Sequence, residues 1–68
     1  MGMVTMSLEG LEFEFQTLIL DPYMDPVIPS EITGEVVVGF IDHYGERHAT
    51  WRVTRQEDGT FLVDTDAL

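Results

Sequence analysis

Glu35-Val36-Val37-Val38-Gly39-Phe40-Ile41-Asp42, then Ala49-Thr50-Trp51-Arg52-Val53-Thr54-Arg55, then Phe61-Leu62-Val63, reads as a run of β-strands. β-Branched and aromatic residues dominate, and apolar side chains recur at every second position, the spacing of one face of a half-buried strand. Val36, Val38 and Phe40 share one face, and Ala49, Trp51 and Val53 share a face of the next strand. A connection over Tyr44-Gly45-Glu46-Arg47 sets His43 opposite His48, Phe40 opposite Trp51 and Val38 opposite Val53. The next turn holds Glu57-Asp58-Gly59. With Gly59 in the left-handed position of a bulged three-residue loop, Val53 faces Val63 and Arg55 faces Phe61. A two-residue loop would turn Val53 toward Asp64, against the apolar pattern.

Upstream, Val4, Met6 and Leu8 alternate with Thr5 and Ser7, and Leu11, Phe13 and Phe15 alternate with Glu12 and Glu14. A turn at Glu9-Gly10 predicts a hairpin with Leu8 opposite Leu11, Met6 opposite Phe13 and Val4 opposite Phe15, all on one face. Between the two halves, Pro22, Pro26 and Pro29 forbid a central strand or a long helix over residues 21–34. Ser30 is placed to cap one helical turn through Glu31 and Ile32, and the remainder reads as a long Pro-rich loop. The expectation is an all-β domain over residues 1–68, with antiparallel strands at 3–8, 11–20, 35–43, 47–55 and 60–65. Five short strands in so short a chain suggest a small barrel or strongly curved sheet, SH3-like or OB-like, with an open meander as the other arrangement. Trp51 is expected in the core against Phe40, among Phe13, Phe15, Val38, Val53 and Val63. Val37 and Ile41 point off that face and ask for cover by the loop or by a second copy, which makes a homodimer an expectation.

Composition bounds the chemistry. Thirteen acidic residues stand against three arginines in 68 residues, for a net charge of −10, with no Lys and no Cys. Direct nucleic-acid binding needs a cationic footprint, which this chain lacks. No disulfide or Cys-based zinc site can staple a domain that buries only about 60% of its unfolded surface, and a deep active site is not expected. Met1 to Leu8 has no basic residue before it and meets Glu9 early, unlike a secretory signal. No apolar run has the length of a membrane span. The expected setting is cytoplasmic, with no membrane partner.

Catalytic motifs are absent. Without Cys or Lys there is no thiolate or Schiff-base route, and Ser7 and Ser30 lie in no nucleophile elbow. No phosphate-binding loop or dinucleotide fingerprint occurs. His43 and His48, with Glu46 between them, have the side-chain types of a metal site, but two imidazoles on a hairpin tip make a poor one; no tight metal site and no cofactor are expected.

What remains is a surface. On the expected strands, Glu12 and Glu14 share the outer face of the first hairpin, and Asp64 and Asp66 repeat that spacing on the last strand. Residues two apart on a strand lie about 6.6 Å apart, close to two steps of 3.4 Å along one DNA strand. Tyr23, Met24 and Asp25 in the Pro-rich loop form either a lid on the core or an anchor for a partner. The chain therefore reads as a non-catalytic, acidic interaction module. Its partner-binding residues are expected to be Glu12, Glu14, Asp64, Asp66, Tyr23, Met24 and Asp25. Its sharpest form is a stoichiometric inhibitor of the phage type, mimicking nucleic acid at a basic site of a larger protein. The other class is a structural or accessory subunit, whose acidity serves solubility and whose exposed apolar strand face serves self-association.

Overall fold

A computed structural model describes residues 2–21 and 27–65, without the side chains of Arg47 and His48. Its elements are β1 (Met3–Met6), α1 (Leu8–Thr17), β2 (Ile19–Leu20), a 3-10 turn (Pro29–Glu31), β3 (Glu35–Ile41), β4 (Arg47–Arg55) and β5 (Phe61–Asp64). The strands form one antiparallel sheet in the order β1-β5-β4-β3-β2. The protein is mostly β, with one short helix, and the sheet is not closed: β1 and β2 are its two edges.

The expected strand at 11–20 is a helix over most of its length, and only Ile19–Leu20 pairs, with Ile41 and Phe40. None of the cross-strand pairs expected of the first hairpin forms. Ser7 explains the difference. Its backbone is extended and its Oγ accepts the Gly10 N–H at 3.1 Å, so it caps a helix rather than continuing a strand. The Leu11 N–H donates to the Ser7 carbonyl at 2.9 Å, closing the first turn. Leu8, Leu11 and Phe15 then fall on one helical stripe that faces the sheet, with Leu11 and Phe15 buried and Leu8 packed beside them. Ser7→Ala is expected to lower unfolding free energy by ~1 kcal/mol, seen as a lower urea midpoint with an unchanged slope.

The helix also solves a topological problem. It leaves β1 at one edge and delivers the chain to β2 at the other. Four inter-strand steps span roughly 19 Å. Ten helical residues cover about 15 Å of that, obliquely, and lay a lid over the core face. The core beneath is Leu11, Phe15, Ile32, Val38, Phe40, Val53, Phe61 and Val63. No helix among the described residues is long and apolar enough to cross a membrane.

The central meander follows the alternation closely. Between β4 and β5 the register is the expected one, with Val53 opposite Val63, Arg55 opposite Phe61 and Gly59 at φ +88°. Between β3 and β4 the faces are as expected but the register differs by two residues: Val38 pairs with Trp51, Val36 with Val53 and Phe40 with Ala49. An even shift preserves the face of every side chain. Its cause is the turn. The Asp42 N–H donates to the Glu46 carbonyl, the Gly45 N–H to the Asp42 carbonyl, and Gly45 sits at φ +82°. The loop is thus closed by Asp42 and Glu46, and a bulge follows, where Ile41 pairs with Arg47. His43 lies in the turn and does not stand opposite His48. Trp51 is half-buried at the margin of the core rather than at its centre, and Phe13 lies outside it. Phe40 and Trp51 still meet as diagonal neighbours, rings 4.8 Å apart and edge-on, with Phe15 completing the cluster at 5.7 Å from Phe40.

Ser30 does not cap. Pro29 opens the 3-10 turn, its fixed φ suited to that place, with Ile28 before it. Pro29 is buried and Val27 packs on the core.

The β4–β5 turn carries a titration signature. The Thr60 hydroxyl lies 2.6 Å from Asp58 Oδ1, and the Thr60 N–H donates to the same oxygen at 3.0 Å. The hydroxyl first, and then the amide, hold the Asp58 carboxyl below its usual value near 3.8. A lowered folded pKa adds stability above the unfolded pKa, and that stability is lost as pH falls through the folded value. Thr60→Val, which keeps the amide and the side-chain shape, is expected to raise the Asp58 pKa. Carboxyl NMR titration reads this directly.

Candidate functional site

The helix redistributes the expected acidic row. Residues two apart on a helix lie about 200° apart around its axis, so Glu12 and Glu14 flank opposite sides of α1 instead of sharing a face. Asp64 pairs with Arg52 and Met3 and belongs to the sheet face opposite the helix. The structure therefore does not bring Glu12, Glu14 and Asp64 into one row at phosphate spacing. Asp66, Tyr23, Met24 and Asp25 lie outside the described residues.

A different arrangement takes the row's place. Phe13 sits off the buried stripe of α1 and is 63% exposed. Glu9 and Gly10 precede it by four and three residues, Gln16 and Thr17 follow by three and four, and these positions surround it on the helix surface. Glu12 and Glu14 stand to either side. A large ring without a polar tip is thus held on a rigid element within a border of carboxylates. The alternation of Leu11, Phe13 and Phe15 hid this in the sequence. The helical stripe Leu8, Leu11, Phe15 is the signal that leaves Phe13 outside.

Nothing in α1 neutralises these acids, since residues 8–17 include no cation. Glu9 lies in the first turn, where the helix dipole favours it. Glu14 lies toward the other end, where the dipole opposes it, and no basic residue occupies the last turn. The two described guanidinium groups are engaged by the protein itself. Arg52 Nε lies 3.6 Å from Glu35 Oε1 across β3 and β4, and Arg55 Nη1 donates to the Ile32 carbonyl at 3.4 Å.

Two clefts border the helix and the 3-10 turn. One lies between Phe15, Leu20, Val27 and Pro29 with Glu12 at its rim, and the other between Val27, Ile32 and Val36 with Glu31 at its rim. Among the described lining residues each has one ionisable side chain. At the β3–β4 tip, Asp42 Oδ1 accepts the N–H groups of Tyr44 and Glu46, so this carboxylate builds the turn. Among the described residues no group of three or more His, Cys, Asp or Glu is placed to hold a metal ion. Compared with protein-family models, curated proteins and solved structures, the chain finds no match in any of the three.

Proposed function

We propose that this protein is a non-catalytic interaction module that binds, stoichiometrically, a basic surface of a larger protein through the outward face of α1. The observation that carries this reading is Phe13, exposed at the centre of a helix face bordered by Glu9, Glu12 and Glu14. Interface hot spots combine an aromatic anchor with a polar rim that excludes water. Here the rim is of one sign, so a partner presents an apolar pocket edged by Lys or Arg. Carboxylates of one sign also steer encounter with such a site over a Debye length of about 8–10 Å.

The sharpest form of the proposal is occupancy of a nucleic-acid-binding site, which makes the protein an inhibitor and nucleic-acid mimic. Its support is the net charge of −10 and the engagement of Arg52 and Arg55 by the protein's own acceptors, which leaves carboxylates to meet the partner. The test is affinity capture from a lysate of the source organism at low and high salt, followed by competition of the purified partner with DNA or RNA. Capture lost at high salt, with mutual exclusion of nucleic acid, is the expected result. Capture indifferent to salt returns the acidity to a solubility role, and simultaneous binding of nucleic acid removes the mimic.

A further inference from the structure

Strand β1 is the longer of two uncharged sheet edges in a highly charged protein; the other, β2, has two residues. Met3-Val4-Thr5-Met6 carries no ionisable side chain in a chain of net charge −10. It pairs with β5 on one side, and among the described residues no strand pairs with its other side. Exposed edges are ordinarily blocked by a charge, a proline or a bulge, and β1 has none of these.

The hydrogen-bond phase of this edge follows from its pairing. The Thr65 N–H donates to the Gly2 carbonyl at 2.8 Å, which makes Gly2 and Thr65 a hydrogen-bonded pair. Antiparallel pairs alternate, so Val4 and Met6 turn their main-chain groups toward β5, while Met3 and Thr5 turn theirs outward. Val4 lies on the core side of the sheet, opposite the fully buried Val63, yet remains 43% exposed.

We propose that β1 is a self-association seam: it pairs antiparallel with β1 of a second copy about a two-fold axis through Val4. Met3 then exchanges both main-chain hydrogen bonds with the partner's Thr5, and Thr5 does the same with the partner's Met3. Val4 meets the partner's Val4 as a non-hydrogen-bonded pair, the closer kind, and each covers the other. The two sheets become one continuous sheet. A second copy fits this edge for an electrostatic reason. Two chains of like charge approach best where neither carries any, and a seam of Val on Val and Met on Thr is complementary to itself. The seam is short, about 13 Å, so the dimer is weak and concentration-dependent.

Salt moves this contact opposite to the acidic contact of α1. Raising ionic strength from ~0.05 to ~0.5 M screens repulsion between copies and strengthens the dimer. Sedimentation equilibrium of the wild-type chain is expected to show mass rising from 7.7 kDa toward twice that with concentration, more steeply at high salt. Thr5→Pro removes an outward N–H and leaves the β1–β5 bonds in place, as edge strands allow. It is expected to abolish the dimer while its circular dichroism stays that of the wild type. Because the chain has no Cys, Val4→Cys reports the register independently of that variant. Under mild oxidation it should cross-link at least tenfold faster than Val37→Cys, whose site lies on the other face of the sheet. A single species of one chain's mass at every concentration and salt overturns the proposal. So does a dimer that survives Thr5→Pro, equal cross-linking at the two positions, or pairing of this edge only with a different protein.

Discussion

Phe40→Ala removes most of the stability of the protein. Phe40 is 1% exposed, lies in a central strand, and touches both other rings of the cluster, with Phe15 at 5.7 Å and Trp51 at 4.8 Å. Truncating a buried Phe costs about 3–5 kcal/mol through lost transfer energy and the cavity left behind. At ~0.05–0.15 kcal/mol per residue, a domain of this size has roughly 3–10 kcal/mol in all. The variant is therefore expected to be unfolded or within reach of unfolding at 25 °C. Urea titration followed by the fluorescence of Trp51, the chain's one Trp and a direct neighbour of Phe40, reads the loss. Phe13→Ala is the control: the same truncation at a 63% exposed site should move stability by no more than about 0.5 kcal/mol. Equal midpoints for the two variants would mean that the core does not lie between α1 and β3–β5.

That contrast between two phenylalanines marks where the sequence could be read and where it could not. In β3, β4 and β5, β-branched residues, strict alternation and the glycines of the turns all agree, and the pairing of Val53 with Val63 follows from Gly59 together with the apolar alternation. Even the shifted β3–β4 register kept every face, because an apolar pattern of period two constrains the face more strongly than the pairing. Residues 8–17 are different. Leu11, Phe13 and Phe15 satisfy a strand, while Leu8, Leu11 and Phe15 satisfy a helix, and Leu11 and Phe15 belong to both readings. Ser7 as a cap and the helix-favouring Leu, Glu and Gln tip the balance locally. Topology adds the rest: an open five-stranded sheet needs a cover for Val38, Phe40, Val53 and Val63, and a hairpin would have supplied two more strands and no lid. The acidic surface was legible as a count and not as an arrangement. Spacing along the chain becomes spacing in space only once the period is known, and the change from strand to helix turned a row of carboxylates into a border around Phe13.

Glu12→Lys with Glu14→Lys should abolish recognition of a basic partner while leaving the fold as firm as before or firmer. The two effects have opposite signs for a physical reason. Glu14 lies in the half of α1 where the helix dipole disfavours an acid, so Lys there gains a few tenths of a kcal/mol. A partner edged by Lys or Arg instead meets a new like charge on each flank of Phe13, a change of two charge units on either side. Association should slow by more than tenfold at low salt, and the dependence of the remaining affinity on ionic strength should flatten. Phe13→Ala should act differently. Loss of a hot-spot aromatic costs about 2 kcal/mol or more, roughly 30-fold in Kd, and the loss appears in dissociation with the salt dependence unchanged. Surface plasmon resonance of the captured partner at two salt concentrations separates these signatures, and urea midpoints show that the variants remain folded. If the double reversal binds as the wild type does, the α1 face is not the recognition surface, whatever the charge of the whole chain. If it fails to bind while Phe13→Ala binds normally, the contact is electrostatic alone and the aromatic anchor is wrong.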